Sequence, residues 1–341
     1  RYGEQSRRLP MASEKGNKAS DVLEQTEKHA KELVALEEKL RSTEEMLARA
    51  QEQLKDSRST KYRAPKGRQT KSRKTDYVRF IIPDVHGCKM HKPSVAAMLG
   101  DLESLKPKEI VIMGDFLDCG GFLAQHHTLG YVEQSEYEYE SDVTAGNSLL
   151  DKIQEAAPVA KIHFLEGNHE ARIEKYCVTT ALRNGAPNVA IEAEHLRMLY
   201  GTEYVLSLDK RGIQLYRQGK YYHGLGIPST IKLGKCHFTH GVTTAVNAAK
   251  VHAERFGGNV VFGHTHRADS YHIRTISAGV IGAWNPGTLS VLQELYMHQN
   301  ISNWSHGYGL QLVKSDGDFL HINVPIRDGK SHFVGITEKL R

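Results

Sequence analysis

From Tyr77 onward, short apolar runs alternate with longer amphipathic stretches, and this alternation predicts a layered domain of strands and helices. Residues 78–83, 109–113, 161–165, 236–239 and 259–262 are short and mostly apolar, and they predict β-strands. Residues 93–105, 142–157, 171–183 and 190–200 carry the helical period, which fits a sheet covered on both faces. After Gly263 the chain is rich in Gly, His and Tyr. Strand-like pieces there, including 309–314 and 319–324, predict a second sheet that closes a β-sandwich. The last residues, 339–341, are expected to fray.

The N-terminal part follows a different period. Between residues 22 and 54 the composition turns to Glu, Lys, Leu and Ala. Leu33, Leu40, Leu47 and Leu54 recur every seven residues, with Leu36, Thr43 and Ala50 three positions after the first three. This is a short heptad seam whose Thr and Ala are weak core residues, so a coiled coil formed with a partner chain is expected, a homo-oligomer first. A single solvated helix is the alternative. The domain reading is a helical, coiled-coil-like extension over 1–56, a basic flexible linker over 57–75 and a catalytic domain over 76–338.

Charge sharpens that division. Net charge is +5, yet residues 57–75 hold eight Lys or Arg (Arg58, Lys61, Arg63, Lys66, Arg68, Lys71, Arg73, Lys74) and no acid. The remainder is slightly acidic, so the basic character belongs to the linker, which has too few apolar side chains to fold alone. Binding of nucleic acid through residues 58–74 stands beside the plain-linker reading. No window approaches the roughly 20 consecutive apolar residues of a membrane helix, and a cytoplasmic location is expected. Cys88, Cys119, Cys177 and Cys236 form no C-x-x-C pair, which argues against a zinc knuckle and a disulfide framework. Cys88 and Cys119 lie beside the candidate site, where oxidation sensitivity competes with simple packing.

Five motifs follow the predicted strands: Asp84-Val85-His86, Gly114-Asp115-Phe116-Leu117-Asp118, Gly167-Asn168-His169-Glu170, Thr239-His240-Gly241 and Gly263-His264-Thr265-His266. Sites in α/β sheets lie beyond the carboxyl ends of the strands, and these residues supply oxygen and nitrogen donors for two divalent cations sharing a carboxylate. Asp84 and His86 would project on one face if the strand continued. Asp115, after Gly114, can bridge both ions, and Asp118 is better placed behind them. Asn168 offers a neutral oxygen, leaving His169 free for proton chemistry. His240, His264 and His266 complete the set. Two divalent ions against the carboxylates of Asp84 and Asp115 leave a positive surplus that attracts phosphate and permits a bridging hydroxide as nucleophile, so phosphate-ester hydrolysis is the expected chemistry.

With all five blocks in order, the chain resembles the calcineurin-like metallophosphoesterase superfamily over residues 77 to about 270. The resemblance implies an α/β fold, a four-layer α/β/β/α sandwich of two mixed sheets. It implies that Asp84, His86, Asp115 and His266 bind the first metal and that Asp115, Asn168, His240 and His264 bind the second. It further implies that His169 donates a proton to the leaving oxygen, oriented by Asp118. Manganese is the first expectation for the metal pair, with iron, zinc or nickel as alternatives. The phosphoprotein phosphatase branch carries a phosphate-clamping Arg where this chain has Cys119, which weakens a protein-phosphatase reading. Arg172 could supply that charge, or could simply lie on an exposed helix face. The Glu170-Ala171-Arg172 run and the region around Trp284 and Trp304 are similar to phosphoesterases of bacterial and bacteriophage type. Residues 120–146 are expected to form a loop and helix over the site. A nuclease or phosphodiesterase acting on DNA or RNA, and a catalytically dead scaffold, remain the competing functions.

Overall fold

The computed structural model describes residues 76–120, 122, 138–218, 229–294, 297, 301–331 and 333, with scattered positions between 28 and 41. The chain divides into two compact units, Arg1–Ser59 and Thr60–Arg341. In the first, the described positions are helical and exposed, Leu33 among them. The rest of the heptad seam (Leu36, Leu40, Thr43, Leu47, Ala50, Leu54) and the basic run 57–75 lie outside the described residues, as do 123–137 of the expected cover.

In the second unit the first sheet contains β1 (Tyr77–Ile82), β2 (Glu109–Ile112), β3 (Lys161–Leu165), β4 (Gln214–Tyr216), β10 (Gly307–Val313), β11 (Phe319–Arg327) and β12 (Lys330–Ser331). Their spatial order is β12-β11-β10-β1-β2-β3-β4. The strands β1 to β4 run parallel, whereas β10 adds antiparallel to β1 and β11 antiparallel to β10. The second sheet, also mixed, runs β5-β6-β7-β9-β8, from β5 (Thr230–Leu233), β6 (Cys236–Thr239), β7 (Asn259–Phe262), β8 (Ala268–Thr275) and β9 (Gly279–Pro286). The expectation that residues 309–314 and 319–324 would build the second sheet is therefore corrected. Both join the first sheet, because β10 pairs in register with β1, Phe80 opposite Leu310. A local apolar pattern specifies a strand but not its partner.

The period-2 alternation of the strands assigns the layers. On β1 and β2, Phe80, Ile82, Ile110 and Ile112 face the core shared with α1 (Lys92–Leu105), α2 (Tyr139–Ala156), α3 (Asn168–Arg183) and α4 (Val189–Tyr200), followed by the short α5 (Thr202–Val205). The intervening Ile81 and Val111 point the other way and pack with Phe238 and Val261 of the second sheet. On β7, Val260 and Phe262 turn to α6 (Ala248–Phe256), where Ala248, Ala249 and Ala253 let the helix lie close. The result is the four-layer α/β/β/α sandwich of two mixed sheets.

Candidate metal centre

Every motif sits on a turn that leaves a strand. His86, Asp115, His264 and His266 have φ between 45° and 69°, the left-handed region that non-glycine residues rarely adopt. The expected strand-like projection of Asp84 and His86 is thus corrected, since β1 ends at Ile82 and the chain has turned before His86. Backbone bonds fix that turn: the N–H groups of Val85 and His86 both donate to Asp115 O at 3.0 Å. Gly114, at φ +94°, allows its loop to touch the next, because a Cβ there would come within 2.6 Å of Gly167 N.

The side chains converge from both sheets. Asp84 Oδ2 lies 3.0 Å from His266 Nε2, and the Asp84 carboxylate accepts the N–H of His264 at 2.9 Å. His266 Nε2 is 3.1 Å from His86 Nε2. Asp115 Oδ2 lies 3.2 Å from His240 Nε2, 3.7 Å from His169 Nε2 and 4.0 Å from His86 Nε2. Asn168 Oδ1 is 2.8 Å from His240 Nε2. Two groups of donor atoms could each hold a cation, Asp84–His86–Asp115–His266 and Asp115–His240–His264, with ligand atoms within 4.8 Å of one another and Asp115 common to both. A third such group is His86, Asp118 and His169. Ring nitrogens and carboxylate oxygens packed this closely, with the buried Nδ1 of His266 lacking a hydrogen-bond partner, fit a divalent-metal donor set.

Asp118 is split between two neighbours. Its backbone carbonyl accepts a short hydrogen bond from His169 Nδ1, while its carboxylate is 3.0 Å from His86 Nδ1, 3.6 Å from His169 Nδ1 and 3.4 Å from Lys89 Nζ. The orientation of His169 therefore comes chiefly from a main-chain oxygen, and the Asp118 carboxylate bears mainly on His86. Arg172, on α3, lines the cleft, and its buried Nη1 has no hydrogen-bond partner.

Three supports were not assigned from sequence. Glu170, in the first turn of α3, accepts from the N–H groups of Asp115 (3.0 Å), Phe116 (2.7 Å), Leu117 (2.9 Å) and Gly167 (2.8 Å). In the sequence it stands only as the end of a motif, although its place three residues after a helix start is a capping signal. Asp142 accepts from Cys88, Asp118 and Cys119 N–H, and it lies close enough to Gly87 that a Cβ there would collide with its carboxylate. Nothing near Asp142 in the sequence marks it. Trp304 packs edge-to-face on His266 with centroids 4.0 Å apart.

The charges of this basin are mutually dependent. Burial alone would raise the Asp115 carboxyl, but His169 and His240 pull it well below the usual range. Burial would lower His86 and His240, yet Asp118 and Asp115 raise His86 to about 9, and Asp115 raises His240 to about 10. Burial, reinforced by His86 and Arg172, holds His169 down at about 3. A cation accepted by His86 and His240 must displace their protons. Calorimetry near neutral pH in buffers of different ionisation enthalpy should therefore record about two protons released per chain on divalent-metal uptake, with affinity rising with pH until both imidazoles are neutral. Uptake without proton release would remove these two imidazoles from the ligand set. Burial, with Asp142 nearby, pushes Cys88 up to about 11 and Cys119 well above its ordinary value, which disfavours the thiolate at both; Cys119 is a buried packing residue, whereas Cys88 is exposed.

Among the described residues no helix is long and apolar enough to cross a membrane. Residues 80–268 match the family described as calcineurin-like phosphoesterase. No curated protein matches the chain. Among solved structures, the chain is similar to Vacuolar Protein Sorting 29 from Cryptosporidium parvum, with 12% identity over 75% of this chain and 95% of that one at a TM-score of 0.35. It is similar to Yfce, a phosphoesterase from E. coli, with 17% identity over 72% and 98% at 0.29. It is also similar to TT1561 of Thermus thermophilus, with 9% identity over 73% and 99% at 0.32. Likenesses this distant carry no weight for its chemistry. The family match spans more than half of the chain and takes in all five of the candidate motifs, so the chain belongs to the calcineurin-like phosphoesterases and is a hydrolase of phosphoric ester bonds.

Proposed function

We propose that the domain over residues 76–338 is a dinuclear phosphoesterase, one divalent cation held by Asp84, His86, Asp115 and His266 and the other by Asp115, Asn168, His240 and His264. The observation that carries this reading is the position of Asp115, buried and common to two donor groups. When bound, such ions polarise the phosphoryl oxygens and make a water nucleophilic at neutral pH, with Mn²⁺ the first candidate. The chain's own residues supply the rest. His169 bonds through Nδ1 to the Asp118 carbonyl, which leaves Nε2 to exchange a proton with the ester oxygen. A phosphate anion arriving beside His169 raises its proton affinity and so equips it as the acid for the departing alkoxide. Arg172 Nη1 is a buried donor in want of an anion, and the N-terminus of α3 adds its dipole to that attraction.

The test is hydrolysis of p-nitrophenyl phosphate against bis-p-nitrophenyl phosphate by the full-length chain with Mn²⁺. Turnover is expected to vanish on chelation, return with Mn²⁺, and fall about 100- to 10,000-fold in His169→Ala. Metal-independent turnover would overturn the dinuclear reading, and inactivity with metal bound would favour a scaffold. Dominant diester activity would favour the nuclease reading, which the basic run 58–74 motivates. Removal of residues 1–75 should then weaken nucleic-acid binding and flatten its salt dependence. The heptad over residues 22–54 supports a homo-oligomer, which light scattering on the same truncation would read.

A further inference from the structure

The cleft over the metal centre has a volume of about 360 Å³, the size of sites that enclose a whole small ligand and far more than a phosphate group needs. Its described lining is polar or charged almost throughout: imidazoles, carboxylates, Lys89, Arg172 and Arg267. Trp304 is the exception, the one large apolar side chain among the described residues that line it. The indole is half-buried and meets His266 edge-to-face at an interplanar angle of 70°. Such a contact occupies at most one indole face.

The backbone beside Trp304 is pinned. Ser305 N donates to His266 O at 3.0 Å, Ser305 O accepts from Thr288 N at 2.9 Å, and Ser305 Oγ accepts from Ala268 N at 2.8 Å. Asn303, the preceding residue and also part of the cleft lining, offers an amide donor and acceptor. We infer that Trp304 is a specificity-determining platform on which a planar ring of the leaving group stacks, and that the substrates are phosphate esters of nucleoside-type alcohols. This rests on the phosphoesterase reading, which places the phosphoryl group at the ions beside His266. Among the described lining residues Trp304 has no other large apolar side chain to pack with; a base has a π-face for it and a polar edge for Asn303.

Adenosine 5′-phosphate and ribose 5-phosphate release the same primary oxygen and differ only in the base, so their comparison isolates the stack. The wild-type chain with Mn²⁺ is expected to favour the nucleotide by about tenfold or more in kcat/KM. Trp304→Leu should erase that preference through KM, lowering kcat/KM for the nucleotide about tenfold more than for ribose 5-phosphate, and Trp304→Phe should restore most of it. Equal efficiency on both esters in the wild type would overturn the proposal. So would an equal loss on both in Trp304→Leu, which would mean that the indole merely supports His266. Equilibrium binding separates this from the underlying reading. Adenosine 5′-phosphate, but not ribose 5-phosphate, should quench indole fluorescence in the wild type, and Trp304→Phe should lose that component. Quenching without turnover of any ester would sink the phosphoesterase reading and leave the platform; turnover without preference or quenching would do the reverse.

Discussion

Asp115→Asn is expected to reduce phosphoester turnover by about 1,000-fold or more, because a Lewis-acid centre contributes several kcal/mol to the transition state and each 1.36 kcal/mol is tenfold. The substitution is close to isosteric. It keeps an oxygen for the N–H of His169, now 2.8 Å from Asp115 Oδ1, so α3 should still start where it does. What it removes is the negative charge that lies within 4.0 Å of His86, His169 and His240. Without that charge neither donor group retains its shared ligand, and the imidazoles repel both a cation and one another. Elemental analysis of the purified variant should show lost metal alongside the fall in kcat/KM, while circular dichroism should show an unchanged fold. Activity within about tenfold of wild type, with metal still bound, would remove Asp115 from the centre of the mechanism.

Glu170→Ala should act on the frame rather than on the ligands. Four N–H groups from two loops converge on this buried carboxylate. Each orphaned buried donor costs about 1–3 kcal/mol, so a loss of about 4 kcal/mol or more is expected from a total stability that for most domains is about 5–15 kcal/mol. Glu170→Gln should fall between the two. It retains an acceptor for Phe116 and Leu117 but turns an amide donor toward the N–H groups of Asp115 and Gly167. Denaturant midpoints measured on metal-free protein read this directly, and a midpoint for Glu170→Ala equal to the wild type's would show that the loops hold themselves in place.

These two residues also mark how far the sequence could be read. Strands 161–165, 236–239 and 259–262 occur at the expected residues, because a short apolar run between turn-formers is a local property. The motif side chains gather as their positions after strands implied. The pairing of β10 with β1 was not legible, since it joins segments far apart in the chain; Arg79 on β1 bonds Gln311 on β10 at 2.7 Å, a separation of 232 residues. Helix α2 starts at Tyr139 rather than 142, where Tyr139 packs against Phe122 and Tyr200, contacts outside any helical period. Asp142 was hidden for the same reason: its work is done on Cys88, 54 residues earlier. Left-handed φ at His86 and Asp115 was not legible because Asp and His, although enriched in that region among non-glycine residues, adopt it only occasionally, so residue type alone does not mark the position.

The contact between Asp84 and His264 spans 180 residues and joins the ends of the two sheets. During biosynthesis it has a plain outcome. A nascent chain has made Asp84, Asp115 and the Asn168–His169 pair long before β7 emerges, yet the two donor groups that share Asp115 both lack a member until the His264–His266 turn has left the ribosome. On the proposed dinuclear reading, hydrolytic power would arrive late and all at once, and unfinished polypeptides would stay inert toward the phosphate esters around them.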